Sequence, residues 1–214
     1  QSGKRTYQDF YNEVTSIANY LLSSGIQKGD KIAILSANMP NWGITQFAIA
    51  RIGAIAVPVL PGFSSIEIQN ILEHSESKII FVSKLLYKLV ADIKTSYLEQ
   101  KILMNTFARI PEDYPVEAID KLENNIGLNN LTPLPAIQVE EEDTASIIYT
   151  SGTTGFSKGV ELTHRNLVWN ARQCATIQPV SIQDRFLSIL PLAHTYENTL
   201  GLLLPVMFGA QIYY

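Results

Sequence analysis

The sequence predicts a layered α/β fold: parallel sheets with flanking helices. Three observations lead there. Short apolar runs alternate along the chain with longer stretches whose apolar residues recur every three or four positions. That alternation requires right-handed crossover connections and puts helices on both faces of a largely parallel sheet. The 214 residues are 46% apolar and 17% charged, ordinary usage for a globular chain able to bury a substantial core. Finally, an apolar strand ending in Ile147, Ile148 and Tyr149 runs straight into a loop of glycines and hydroxyls.

The elements follow in order. Thr6 caps a helix whose residues Phe10, Val14, Ile17, Ala18 and Leu21 share one face, and Gly25 stops it. Residues 31–35 read as a buried strand. Asn38-Met39-Pro40 starts a second helix that runs to Arg51. Residues 54–60 form the next strand, ended by Pro61-Gly62. Residues 64–75 are helical, 78–82 a strand, 85–93 helical and 101–104 a strand. Residues 105–142 carry four prolines and a scatter of asparagines, and read as a long excursion with one short helix near 118–122. The acidic run Glu140 to Asp143 reads as a solvated approach to the strand at 145–150. Thr163 caps a helix to Thr176, 185–190 is a strand, 199–207 is helical despite Pro205, and 210–214 begins another strand. Two lobes are expected, 1–142 and 143–214. A chain ending inside a sheet strand is expected to be a piece of a longer protein.

The loop Thr150-Ser151-Gly152-Thr153-Thr154-Gly155-Phe156-Ser157-Lys158-Gly159-Val160 carries the chemistry. Glycines let backbone N–H groups approach a ligand, hydroxyls donate to phosphate oxygens, and the lysine adds charge. Neither Gly152 nor Gly155 is followed by Gly-Lys at the spacing of a P-loop, and G-x-G-x-x-G is absent. The composition suits a nucleotide polyphosphate all the same.

A net charge of −4 argues against a nucleic-acid binder. Cys174 is the sole cysteine, so no internal disulfide forms, and a buried free thiol is expected. The polar start, Gln1 to Arg5, lacks a signal-peptide core, and the apolar stretch 200–210 is too short to cross a bilayer. A cytoplasmic location is the default expectation, with peripheral membrane contact open for a lipid substrate.

Tyr149 to Val160 resembles the signature Y-T-S-G-T-T-G-x-P-K-G-V of the adenylate-forming superfamily: acyl-CoA synthetases, luciferases and peptide-synthetase adenylation domains. Ser157 stands where that signature has proline, which leaves the loop looser and adds a hydroxyl. The likeness extends over nearly the whole chain. Gly29-Asp30-Lys31 through Leu35, with Asn38, Pro40 and Trp42, is similar to the family's early G-D-x-V-A-I segment. Gly53 to Pro58 is similar to its G-A-V-V-V-P strand. Pro191-Leu192-Ala193-His194, with Glu197, resembles the P-L-A-H-x-x-E-R stretch of long-chain acyl-CoA synthetases, although Asn198 replaces the arginine.

The resemblance implies roles. Thr150, Ser151, Gly152, Thr153, Thr154 and Gly155 would wrap the β- and γ-phosphates of ATP, and Lys158 would neutralise them. His194 would lie near the α-phosphate and the acyl entry. Glu197 could serve the site or a salt bridge. His164 and His74 read as structural, and Trp42 and Trp169 as packing aromatics. The implied reaction is ATP- and Mg²⁺-dependent activation of a long- or medium-chain fatty acid to acyl-AMP, then transfer to coenzyme A. An enzyme that loads a carrier protein is one alternative; a non-catalytic nucleotide-binding module is another. The family's Mg²⁺-holding glutamate, ribose-binding aspartate and C-terminal lysine have no counterpart here. The isolated chain is therefore expected to be inert and, with a bare edge at its last strand, prone to self-association.

Overall fold

The computed structural model describes residues 3–124, 126, 129–150 and 158–214. Strands β1 (Lys31–Leu35), β2 (Ile55–Pro58), β3 (Ser77–Val82), β4 (Gln100–Leu103), β5 (Ala108–Ile110), β6 (Thr144–Thr150) and β7 (Lys158–Thr163) form one sheet. Their order is β5-β4-β3-β1-β2-β6-β7. The five inner strands run parallel, and β5 and β7 lie antiparallel at the two edges. The fold class is thus the expected α/β, with hairpins at both edges. Short connections explain the edges, because a few residues can join only antiparallel neighbours. Strands β8 (Arg185–Leu187) and β9 (Gln211–Tyr213) pair in parallel as a second, small sheet.

Strand alternation divides the core in two. Ile32 and Ile34 of β1, with Ile79 and Phe81 of β3, face α1 (Tyr7–Ser23) and α2 (Pro40–Arg51). Ala33 and Leu35, with Ile80 and Val82, face α3 (Ser65–His74). Both faces of β1 are therefore buried, which is why it reads as an unbroken apolar run. The helix starts are fixed by capping boxes: Thr6 with Asp9, Ser64 with Glu67, and Thr163 with Asn166. In α2, Pro40 occupies the first turn, where its missing N–H costs nothing.

Several expectations are corrected. The helix predicted over 85–93 is a single 3₁₀ turn, Tyr87–Leu89. The excursion contains β5, which folds back on β4, and its short helix is a 3₁₀ segment, Val116–Lys121. A strand, β7, intervenes between the glycine-rich loop and α4 (His164–Ile177). The strand expected over 185–190 stops at Leu187. The helix expected from 199 begins earlier, as α5 (Thr195–Glu197), and passes through a π-helical stretch, Asn198–Leu203, into α6 (Leu204–Phe208). The wide turn lets the chain reach Pro205 without breaking off, and such turns are enriched at functional sites. Strand β6, which follows residue 142, pairs with β2 in the seven-stranded sheet: Ala56 of β2 lies opposite Ser146 of β6.

Trp42 is fully buried, as expected, but Trp169 on α4 is 61% exposed. Cys174 is half-buried rather than buried. No helix among the described residues is long and apolar enough to cross a membrane.

Candidate functional site

The glycine-rich loop closes a hairpin. Strand β6 delivers it and β7 receives it, and on the last rung Thr150 lies opposite Lys158. Both residues are exposed, and Lys158 makes no ion pair among the described residues. Ser151, Gly152, Thr153, Thr154 and Gly155 fall outside the described residues. The rung brings Thr150 and Lys158, the flanking members of the expected phosphate set, side by side. Gly159 is required by close approach: a Cβ there would meet Ile147 Cγ2 at 2.9 Å and the Tyr149 ring at 3.3 Å.

His194 begins α5. Its Nδ1 accepts a hydrogen bond from the Tyr196 N–H at 3.2 Å, an N-cap made by an imidazole. An accepting Nδ1 leaves the proton of the neutral ring on Nε2. His194 is exposed, so that N–H is available as a donor. The segment bearing it is clamped by Asn38, just before α2. Asn38 donates to Ser188 Oγ at 2.8 Å and to the Leu190 carbonyl at 2.7 Å, and accepts from the Leu192 N–H at 3.0 Å. Ser188 in turn donates to Glu197 Oε1 at 2.7 Å.

Glu197 is buried and forms no salt bridge among the described residues. Gly201 makes room for it; a Cβ there would meet Glu197 Cδ at 2.6 Å. Asn198, which stands where the resembled stretch has arginine, is buried, and its amide pairs reciprocally with Gln46 at 2.7 and 3.2 Å. Sequence reasoning missed Gln46, Ser188 and the holding role of Asn38. The Asn38-x-Pro40 segment and the Asn198 replacement were the signals, because a polar side chain kept in an apolar run needs a partner.

An apolar cavity of about 240 Å³ lies between α2, α4 and α6, lined by Phe47, Leu167, Val168, Leu203, Val206 and Met207. His164 also borders it, and its buried Nε2 has no partner among the described residues. Burial lowers the His164 pKa below the ordinary imidazole value, opposed by Asp143 and reinforced by Lys28. His164 and Ala145 lie at the beginning of the hairpin's ladder, whereas the glycine-rich loop lies at its other end. The separation along β6 from Ala145 to Thr150 is about 17 Å at ~3.3 Å per residue.

The AMP-binding enzyme family model matches residues 1–214. A crotonobetaine/carnitine–CoA ligase of Citrobacter koseri is 34% identical over 196 residues, 88% of this chain and 36% of that protein. A long-chain-fatty-acid–CoA ligase of Mycobacterium bovis is 30% identical over 197 residues, 89% of this chain and 32% of that protein. The structure of a Mycobacterium tuberculosis fatty acyl CoA synthetase superposes with a TM-score of 0.78 at 25% identity, covering 98% of this chain and 39% of that one. The chain spans about a third of the length of the curated relatives it matches. From the hairpin, the clamped histidine segment and these likenesses together, the chain belongs to the AMP-binding enzyme family.

Proposed function

We propose that the whole protein activates a fatty carboxylate with ATP and passes the acyl group to coenzyme A. The observation that carries the reading is the last rung of the hairpin, with Thr150 and Lys158 at the two feet of the glycine-hydroxyl loop. A carboxylate oxygen attacks the α-phosphorus, and the bond from that phosphorus to the bridging oxygen of pyrophosphate breaks. Lys158 and the loop's hydroxyls meet the charge that develops on the leaving group. His194 offers its Nε2–H to an oxygen of the carboxylate or α-phosphate. The thiolate of coenzyme A then attacks the acyl carbon, and AMP departs with the electron pair.

Among the described residues no three His, Cys, Asp or Glu side chains converge to hold a metal ion.

A long chain is supported by the distance along the hairpin. A carboxylate at the loop and a tail end in the apolar cavity would lie about 17 Å apart. The cavity's lining is aliphatic and aromatic, with Met207 and Phe47 able to adjust to a flexible chain. The test is acid-dependent pyrophosphate release by the whole protein, measured across fatty acids of increasing length, aryl acids and amino acids. Highest kcat/KM with long-chain fatty acids is expected. Highest kcat/KM with an amino acid would overturn the assignment.

A further inference from the structure

One aromatic ring lies under the rung next to the two feet of the glycine-rich loop. Tyr149 is 2% exposed and is the last buried side chain of β6 before the loop. Across the ladder, Tyr149 pairs with Gly159, the second residue after the loop, whose Cα has no room for a methyl group above that ring. The ring therefore supports β7 from beneath while belonging to β6.

Its free end is tied elsewhere. Tyr149 Oη lies 2.7 Å from Nδ1 of His74, the last residue of α3. The two rings meet edge to face with centroids 5.7 Å apart. Burial raises the Tyr149 pKa, so the phenol keeps its proton. The hydroxyl can donate to Nδ1 or accept from it, as the imidazole tautomer requires.

We infer that His74 is a positioning residue for the nucleotide loop: by fixing Tyr149 it sets Thr150 against Lys158. This rests on the proposed reading of the loop as the grip on pyrophosphate. The side chain never touches the nucleotide. It holds the Tyr149 ring of β6, over which Gly159 of β7 packs, and rotation of a loose ring would shift β7 against β6 one rung from Thr150 and Lys158.

The test compares His74→Ala, His74→Asn and Tyr149→Phe in the whole protein. Calorimetric titration gives the Kd for Mg·ATP, and steady-state assays give KM for ATP, KM for the fatty acid and kcat. Loss of one neutral hydrogen bond predicts a Kd for Mg·ATP about fivefold weaker in His74→Ala and in Tyr149→Phe. KM for ATP should rise in step while KM for the fatty acid stays. His74→Asn, whose amide reaches the position of Nδ1, should restore ATP affinity. The double variant His74→Ala/Tyr149→Phe should be no weaker than either single one. Unchanged ATP affinity in folded Tyr149→Phe or His74→Ala, or a folded His74→Asn that restores nothing, would overturn the inference. A wild-type protein that binds Mg·ATP but turns over no acid would sink the fatty-acid reading alone, since the Kd comparison would still decide the role of His74. A wild-type protein that does not bind Mg·ATP would overturn both.

Discussion

Lys158 stands at the head of β7 with its charge uncompensated by any carboxylate among the described residues. A charge-assisted contact is worth about 1.5–3 kcal/mol, or roughly ten- to hundredfold in rate when it forms mainly in the transition state. Lys158→Ala in the whole protein should slow acyl-AMP formation by that factor and leave the circular-dichroism spectrum unchanged; undiminished adenylation would remove it from the site. His164 makes a different prediction. Burial holds its folded-state pKa below the unfolded value of about 6.5. The unfolded chain therefore binds the proton more readily, and stability present above pH ~6.5 falls as pH drops towards the folded pKa. Lowering pH from 7 to 5 should depress the melting temperature, and the drop should shrink in His164→Gln. An equal drop in both proteins would show that other groups carry the acid sensitivity.

Residues of this kind differ in how far the sequence reveals them. Lys158 was legible because its neighbours form a contiguous motif. The Glu197–Ser188–Asn38 chain was not, because its members are scattered along the sequence and meet only through tertiary packing. His74 was readable only as a helix-end residue, since its partner Tyr149 lies on another element.

Elements that close through local chemistry were the most legible. Thr6, Ser64 and Thr163 each carry a partner three residues on, and each starts a helix. The strands with both faces buried announced themselves as apolar runs. Strand β7 did not: Lys158, Gly159, Val160 and Glu161 are all exposed, and no apolar run marks an edge strand that borrows its order from β6. The segment 85–93 misled in the opposite sense. Its Tyr87, Val90 and Ile93 do point inward at helical spacing, yet the chain satisfies that burial with one 3₁₀ turn and loops. At this scale the apolar cavity yields a prediction. Val206 lines it from α6, so Val206→Trp should fill part of its 240 Å³. Overpacking of this type costs about 1–3 kcal/mol of stability. In the whole protein the fatty acid of highest kcat/KM should become shorter. An unaltered length preference with a folded enzyme would separate the cavity from the acyl chain.

For the molecule as a whole, the small sheet is its least finished part. Leu187, Ile189, Tyr213 and Tyr214 are all more than 40% exposed around β8 and β9. The 214-residue chain on its own is expected to self-associate through this surface, and light scattering that returned a monodisperse monomer would count against it. The strand order carries a further consequence, for folding kinetics. Strands β1 to β5 follow one another closely in sequence and can assemble as soon as they are made. Strand β6 must find β2 across the whole of residues 59–143, through the rung Ala56–Ser146, and Ser146 Oγ is buried there without a partner among the described residues. Loop closure over such a span is slow, and the rewards come late. The hairpin that carries the glycine-rich loop should therefore dock last and open first. Its amides, at Ile147, Ile148 and Val160, should exchange with deuterium faster than those of Ile32 to Leu35, and saturating Mg·ATP should narrow that gap by binding the docked form alone.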